Sequence, residues 1–135
     1  MAAVKELLRT EANSTLSFGD YTLDAKAKVE DYEFEGNLYK VKTFKEITKL
    51  ERDGAFVYES VPGTAVNSFK ASENGVEFSV SGKADAEITI ELSENTEYEV
   101  VVAGKSNKMT TGISGKLSFS VALENEEEVS IKICK

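Results

Sequence analysis

The sequence predicts an all-β protein built around a β-sandwich. From Val66 onward, apolar and polar residues alternate with period two, as they do in strands that bury one face. Turn-forming residues interrupt this alternation about every 8–12 residues, which is the spacing of strands in sandwich folds. We therefore expect a C-terminal immunoglobulin-like β-sandwich of about seven strands, preceded by a smaller β-rich module.

The C-terminal strands follow from the alternation itself. Between residues 86 and 92, alanine, isoleucine and leucine occupy one phase, and glutamate and threonine occupy the other. The same pattern recurs four more times, and two further segments show it more weakly. We expect strands at 76–80, 86–92, 98–102, 117–123 and 129–133, with weaker ones at 68–71 and 108–111.

The first half is less regular. We expect strands at 4–12 and 16–18, and a hairpin in which 29–34 and 38–44 flank the loop at Gly36. Residues 44–52 fit either a helix or a strand, but the Asp53-Gly54 turn that follows favours strands. The only proline, in the turn 61–64, predicts a boundary between a domain at 1–62 and a domain at 65–135.

The net negative charge of the chain limits the kinds of molecule that it is expected to bind. The chain has 16 Lys and Arg against 24 Asp and Glu, a net charge of −8. Such a chain repels phosphate backbones and anionic lipid, so we expect neither nucleic-acid binding nor membrane insertion. No segment approaches the roughly 20 apolar residues that span a bilayer. The first residues lack the apolar core of a secretory signal, which predicts a cytoplasmic protein.

Residue types also limit the chemistry. There is no histidine, so an imidazole base, a Ser-His-Asp triad and a histidine metal ligand are all excluded. The single cysteine, Cys134, supplies neither an internal disulfide nor a zinc site, and we expect a partly covered thiol there. No glycine-rich phosphate loop is present. We therefore expect no catalytic residues, no cofactor, no metal site and no enzymatic activity.

Carboxylates are the remaining catalytic option, because glycosidases need only two of them. Glu87, Glu91, Glu97 and Glu99 lie on the polar phase of predicted strands, which favours a solvated face. The acidic run 124–128 falls in a predicted turn. It lacks the spaced pattern of a calcium loop, so we interpret it as a solvated turn that discourages edge pairing.

Tyrosines suggest one alternative function. Four of them lie in the first half, and on one sheet face they would form a stacking platform for sugar rings. In the other interpretation they pack across strand pairs, as most tyrosines in strands do. The residues in question are Tyr21, Tyr32, Tyr39 and Tyr58.

Two resemblances carry further expectations. Residues 98–105 (YEVVVAGK) and 109–121 (MTTGISGKLSFSV) resemble the closing strands of immunoglobulin-like or fibronectin-like modules of polysaccharide-processing enzymes. That resemblance implies a scaffold or spacer. Residues 4–12 (VKELLRTEA), 17–21 (SFGDY) and 56–63 (FVYESVPG) resemble a family of small bacterial proteins that carry the name endosialidase.

The residues do not support the activity in that name. Sialidases hold the sugar carboxylate with three arginines, whereas this chain has only Arg9 and Arg52. It also lacks tryptophan-containing Asp boxes and the length of a six-bladed propeller. We expect no sialidase activity.

The sequence favours a non-enzymatic structural or interaction protein that pairs through its strand edges with further copies or another protein. A glycan-binding module that uses the tyrosines is the alternative, and a carboxylate-only glycoside hydrolase comes last.

Overall fold

The structure is a computed structural model that describes residues 3–123 and 128–135. All regular elements in this part of the chain are strands, and the all-β prediction is confirmed. The strands are β1 (Leu8–Thr10), β2 (Leu16–Phe18), β3 (Ala27–Phe34), β4 (Asn37–Phe44), β5 (Ile47–Arg52), β6 (Ala55–Val61), β7 (Ala65–Ser72), β8 (Gly75–Ser81), β9 (Ala86–Glu91), β10 (Glu97–Val102), β11 (Lys105–Thr110), β12 (Lys116–Val121) and β13 (Val129–Cys134).

The strands form two antiparallel sheets that pack as a sandwich. Sheet A has the order β1-β2-β7-β8-β13-β10-β11, and sheet B has the order β12-β9-β6-β5-β4-β3. In an immunoglobulin domain, the seventh and last strand is hydrogen-bonded to the sixth strand. Here the last strand, β13, lies between β8 and β10, so the strand order differs from the immunoglobulin order.

The predicted boundary is the point at which the chain crosses from sheet B to sheet A. β6 ends at Val61 and β7 begins at Ala65, on either side of the predicted Pro62-Gly63 turn. Both sheets continue across it, because β2 pairs with β7 and β6 pairs with β9. The ranges 1–62 and 65–135 therefore contribute strands to the same two sheets and residues to one hydrophobic core.

The core lies between the sheets and is built from the apolar phase of the strands. Val41, Leu50 and Ile88 of sheet B have no exposed surface. Aromatic rings join the layers edge to face. The ring centroids of Phe18 and Tyr58 are 5.2 Å apart. This geometry places the positive edge of one ring on the negative face of the other.

A buried hydroxyl network lies at the crossover between the sheets. The Thr64 hydroxyl is 2.8 Å from the Tyr58 hydroxyl and 2.7 Å from the Ser60 hydroxyl. The Thr48 hydroxyl donates to the Thr64 carbonyl at 2.8 Å and lies 2.8 Å from the Thr43 hydroxyl. All five side chains have no exposed surface, so each bond satisfies a polar group that water cannot reach.

Local predictions succeeded where turn residues marked the strands. The ambiguous segment 44–52 ends β4 and forms β5, as the Asp53-Gly54 turn indicated. The predicted strand at 4–12 is wrong outside Leu8–Thr10, where the structure has β1. Leu7 adopts a φ of 71° and its amide donates to the Val4 carbonyl, which forms a turn before β1.

Gly75 lets two strands of sheet A approach closely. A Cβ at this position would lie 1.7 Å from the Ile133 carbonyl oxygen, and its φ is +151°. Only glycine satisfies both conditions. The close approach of Gly75 to the Ile133 carbonyl brings the first residue of β8 next to β13.

Candidate functional site

The four tyrosines do not form one exposed surface. Tyr58 is fully buried, and Tyr21 and Tyr39 are 6% and 7% exposed. Tyr32 lies directly opposite Tyr39 in the β3–β4 pair. Its hydroxyl is 2.8 Å from the Thr10 hydroxyl, which joins the edge of sheet B to the edge of sheet A.

Tyr58 packs in the hydrophobic core, where a ligand cannot reach its ring. Burial raises the pKa of its phenol far above the ordinary value, against the smaller opposing effect of hydrogen bonds with Thr64 and Ser60. The phenol therefore stays neutral and keeps its place in the hydroxyl network.

The glutamates considered for catalysis lie on the protein surface. Glu87, Glu91, Glu97 and Glu99 are all exposed, as predicted. The pKa of the partly covered Glu11 carboxyl is lowered, first by a hydrogen bond from the Ser17 hydroxyl and then by Arg9. A general acid needs a raised pKa, so Glu11 is unsuited to that role.

The described residues, 3–123 and 128–135, contain neither a metal-binding cluster nor a membrane-spanning helix. No group of three or more Cys, Asp or Glu side chains in these ranges could hold a metal ion. Residues 124–127 of the acidic run, considered above for calcium, lie outside the described residues. Cys134 is partly exposed. None of the described segments forms a helix capable of crossing a membrane.

The sheet edges differ in how far they are protected against pairing. β1 has only three residues, and β3 is interrupted by a bulge at which Asp31 has a φ of 56°. β11 carries Lys105 and Lys108 along its edge. Short length, bulges and lysines are the usual means of blocking edge-to-edge association.

β12 has none of these protections beyond Lys116 at its start. It pairs with β9 through six consecutive positions without a register shift. After Lys116 the strand contains no charged residue and no proline. Leu117 and Val121 face the core, while Ser118 and Ser120 are exposed.

The hydrogen-bond phase of β12 follows from its first contact with β9. The Leu92 amide donates to the Gly115 carbonyl at 2.7 Å, so these opposite residues form a hydrogen-bonded pair. Such pairs alternate with non-bonded ones along an antiparallel ladder. Ser118 and Ser120 therefore direct their backbone N–H and C=O groups away from β9, to the open edge.

The loop between β11 and β12 exposes an apolar side chain. Ile113 is 84% exposed, the largest exposure among the large hydrophobic residues of the described chain. Its loop is held from both ends. Before Ile113, the buried Thr111 hydroxyl donates to the Ser93 carbonyl at 2.6 Å, and after it, the Leu92 amide donates to the Gly115 carbonyl at 2.7 Å. Ile113 therefore lies in a loop that is hydrogen-bonded to the rest of the protein on both sides.

Sequence reasoning did not identify this surface. The sequence predicts a strand at 117–123 but does not indicate that this strand lies at the edge of a sheet. The feature of the sequence that could have indicated an open edge is the uncharged run 117–121, which follows the turn between Gly112 and Gly115.

Comparisons with protein-family models, with curated proteins and with solved structures found no match to this chain.

Proposed function

We propose that this protein is a non-enzymatic interaction module that pairs with a second copy of itself through the open edge of β12. The observation that supports the proposal is the contrast among the edges: three are short, bulged or rich in lysine, and β12 is regular and nearly uncharged. Unpaired N–H and C=O groups on such an edge recruit another strand.

A two-fold axis through Phe119 gives a self-complementary pairing. Phe119 then lies opposite its own copy, and Leu117 lies opposite Val121 of the other copy on the core side. On the outer side, Ser118 lies opposite Ser120. Apolar groups meet apolar groups, hydroxyls meet hydroxyls, and no like charges stand opposite each other.

Long-range charge acts against this association. Each copy carries a net charge of −8, so two copies repel each other before the strands meet. Salt screens charges separated by more than about 10 Å at 0.1 M ionic strength. The dimer should therefore form more readily at higher salt, the reverse of an association driven by opposite charges.

Light scattering after size exclusion, over a range of concentrations, tests the proposal. We expect a dimer mass for the native chain and a monomer mass for Ser118→Pro, because proline removes an amide that faces the open edge. Ser106→Pro is the matched control. By the same alternation, counted from the Thr111 amide bonded to the Thr96 carbonyl, the Ser106 amide faces outward on β11. This variant should remain a dimer.

A cross-linking measurement tests the register. In the Cys134→Ser background, Phe119→Cys should form a disulfide-linked dimer on mild oxidation, because residue 119 faces its own copy across the axis. Ser118→Cys should cross-link poorly. A native chain that is monomeric at all concentrations, or equal loss of the dimer in both proline variants, would refute pairing through β12.

A further inference from the structure

Three lysines stand side by side on the outer face of sheet B. Lys28 of β3 lies opposite Lys42 of β4, and Lys42 lies opposite Lys49 of β5. We call these three residues the lysine row. Strands in a sheet are about 4.8 Å apart, so the row is about 10 Å long.

This arrangement costs stability. Like charges directly opposite each other across strands are destabilising. The outer lysines have nearby carboxylates, since Lys28 Nζ lies 3.3 Å from Glu30 and Lys49 Nζ lies 3.6 Å from Glu51. Within residues 3–123 and 128–135, Lys42 forms no ion pair. A central ammonium between two others is thus left for an external anion.

The row continues across the sheet as a polar band. Glu59 of β6 lies opposite Lys49, Thr89 of β9 lies opposite Glu59, and Ser118 of β12 lies opposite Thr89. The Thr89 and Ser118 hydroxyl oxygens are 2.8 Å apart. The band therefore offers ammonium groups at one end and a carboxylate and hydroxyls at the other, in a line across all six strands.

We propose that this band binds an acidic polysaccharide, with carboxylate or sulfate groups at the lysine row and sugar hydroxyls at Glu59 and Thr89. Ammonium groups form strong charge-assisted bonds with such anions. The inference rests on the outer face of sheet B and does not depend on pairing through β12.

The band favours a polysaccharide over the other polyanions. Double-stranded DNA carries one charge per about 1.7 Å of its axis. It would place phosphates against Glu59 as well as against the lysines. An acidic peptide binds sheets best through main-chain groups at an edge, whereas the band crosses a face whose main chain is already paired. A ligand with sparse charge and many hydroxyls suits both halves of the band.

Titration calorimetry at low salt with a short hyaluronan fragment, which carries a carboxylate on every second sugar only, tests the proposal. We expect binding to the native chain that weakens as salt is added, and about tenfold weaker binding for Lys42→Gln, as for the loss of one charge-assisted hydrogen bond. Lys108→Gln on sheet A makes the same change of net charge, and its binding should match that of the native chain.

Thermal unfolding of the same variants provides a second readout. Lys42→Gln relieves a like-charge contact, so its melting temperature should equal or exceed the native value while its binding falls. Equal weakening by both glutamine variants would show a non-specific charge effect and overturn the site. Absence of binding, or tighter binding of a polyglutamate peptide or a DNA oligomer, would overturn the polysaccharide assignment.

Discussion

Thr64→Val should destabilise the protein through two neighbours rather than through lost volume. Valine has nearly the shape of threonine, so the packing changes little. The Thr64 hydroxyl is, however, 2.8 Å from the Tyr58 hydroxyl and 2.7 Å from the Ser60 hydroxyl, and neither partner has exposed surface. The main-chain bonds between Thr64 and the Thr48 hydroxyl remain available in the variant.

The magnitude follows from the groups left without partners. A buried polar group that loses its hydrogen bond costs about 1–3 kcal/mol. Two such groups set an upper range of about 2–6 kcal/mol by the same principle. The Ser60 hydroxyl lies close enough to Tyr58 to lower the pKa of its phenol, so the two hydroxyls can partly satisfy each other in the variant. We therefore expect a loss of about 2–3 kcal/mol in the free energy of unfolding.

Urea denaturation of a double-mutant cycle measures this effect. Tyr58→Phe removes one of the orphaned hydroxyls, so adding it to Thr64→Val should cost less than the two single changes summed. The denaturant slope should stay constant across the cycle. A Thr64→Val loss below about 0.5 kcal/mol, the size of ordinary surface changes, or strict additivity in the cycle would refute the account of Thr64 as the centre of the network.

Three other predictions concern stability and assembly. Gly75→Ala should lower the free energy of unfolding by several kcal/mol, about 3 or more, because its Cβ would overlap the Ile133 carbonyl; Gly112→Ala, where no atom lies within 4 Å, should be nearly neutral in the same urea assay. The pKa of Glu11 is lowered in the folded protein, chiefly by Ser17, so its contribution to stability is complete above the ordinary value of 4.5 and is lost as the pH falls through the folded value. Glu11→Gln should therefore flatten the acid side of the stability profile, and an unchanged profile would contradict this. Raising the salt concentration should increase the dimer fraction in light scattering, and a decrease would show that repulsion between copies does not limit pairing.

Strand positions were predictable because they depend on local pattern. Alternation and turn residues placed β8, β9, β10, β12 and β13 close to their observed bounds. The segment before β1 was misassigned because Leu7 enters a left-handed conformation that leucine rarely adopts. Nothing in its immediate neighbours signals that turn.

The hairpin partners β3 and β4 were predictable from the Gly36 loop between them, but partners far apart in sequence, such as β2 with β7 and β6 with β9, were not. Lys28, Lys42 and Lys49 are separated by 14 and 7 residues, and only the register of three strands brings them into one row. The tyrosines show the same limit. The alternation assigns Tyr58 and Tyr32 to strands, but the position of each strand in its sheet decides that one is enclosed and the other lies near an edge.

The place of β13 in sheet A has a consequence for the order of folding. β13 follows every other strand in the chain, yet it alone joins β8 to the β10–β11 hairpin. During synthesis, β3 to β6 and β9 can associate as soon as they emerge from the ribosome. The β10–β11 hairpin has no partner in sheet A until β13 has been synthesised. Contacts of large sequence separation also slow folding. We therefore expect the completion of sheet A to be the last structural step, with β10 and β11 unprotected against proteolysis until β13 docks between β8 and β10.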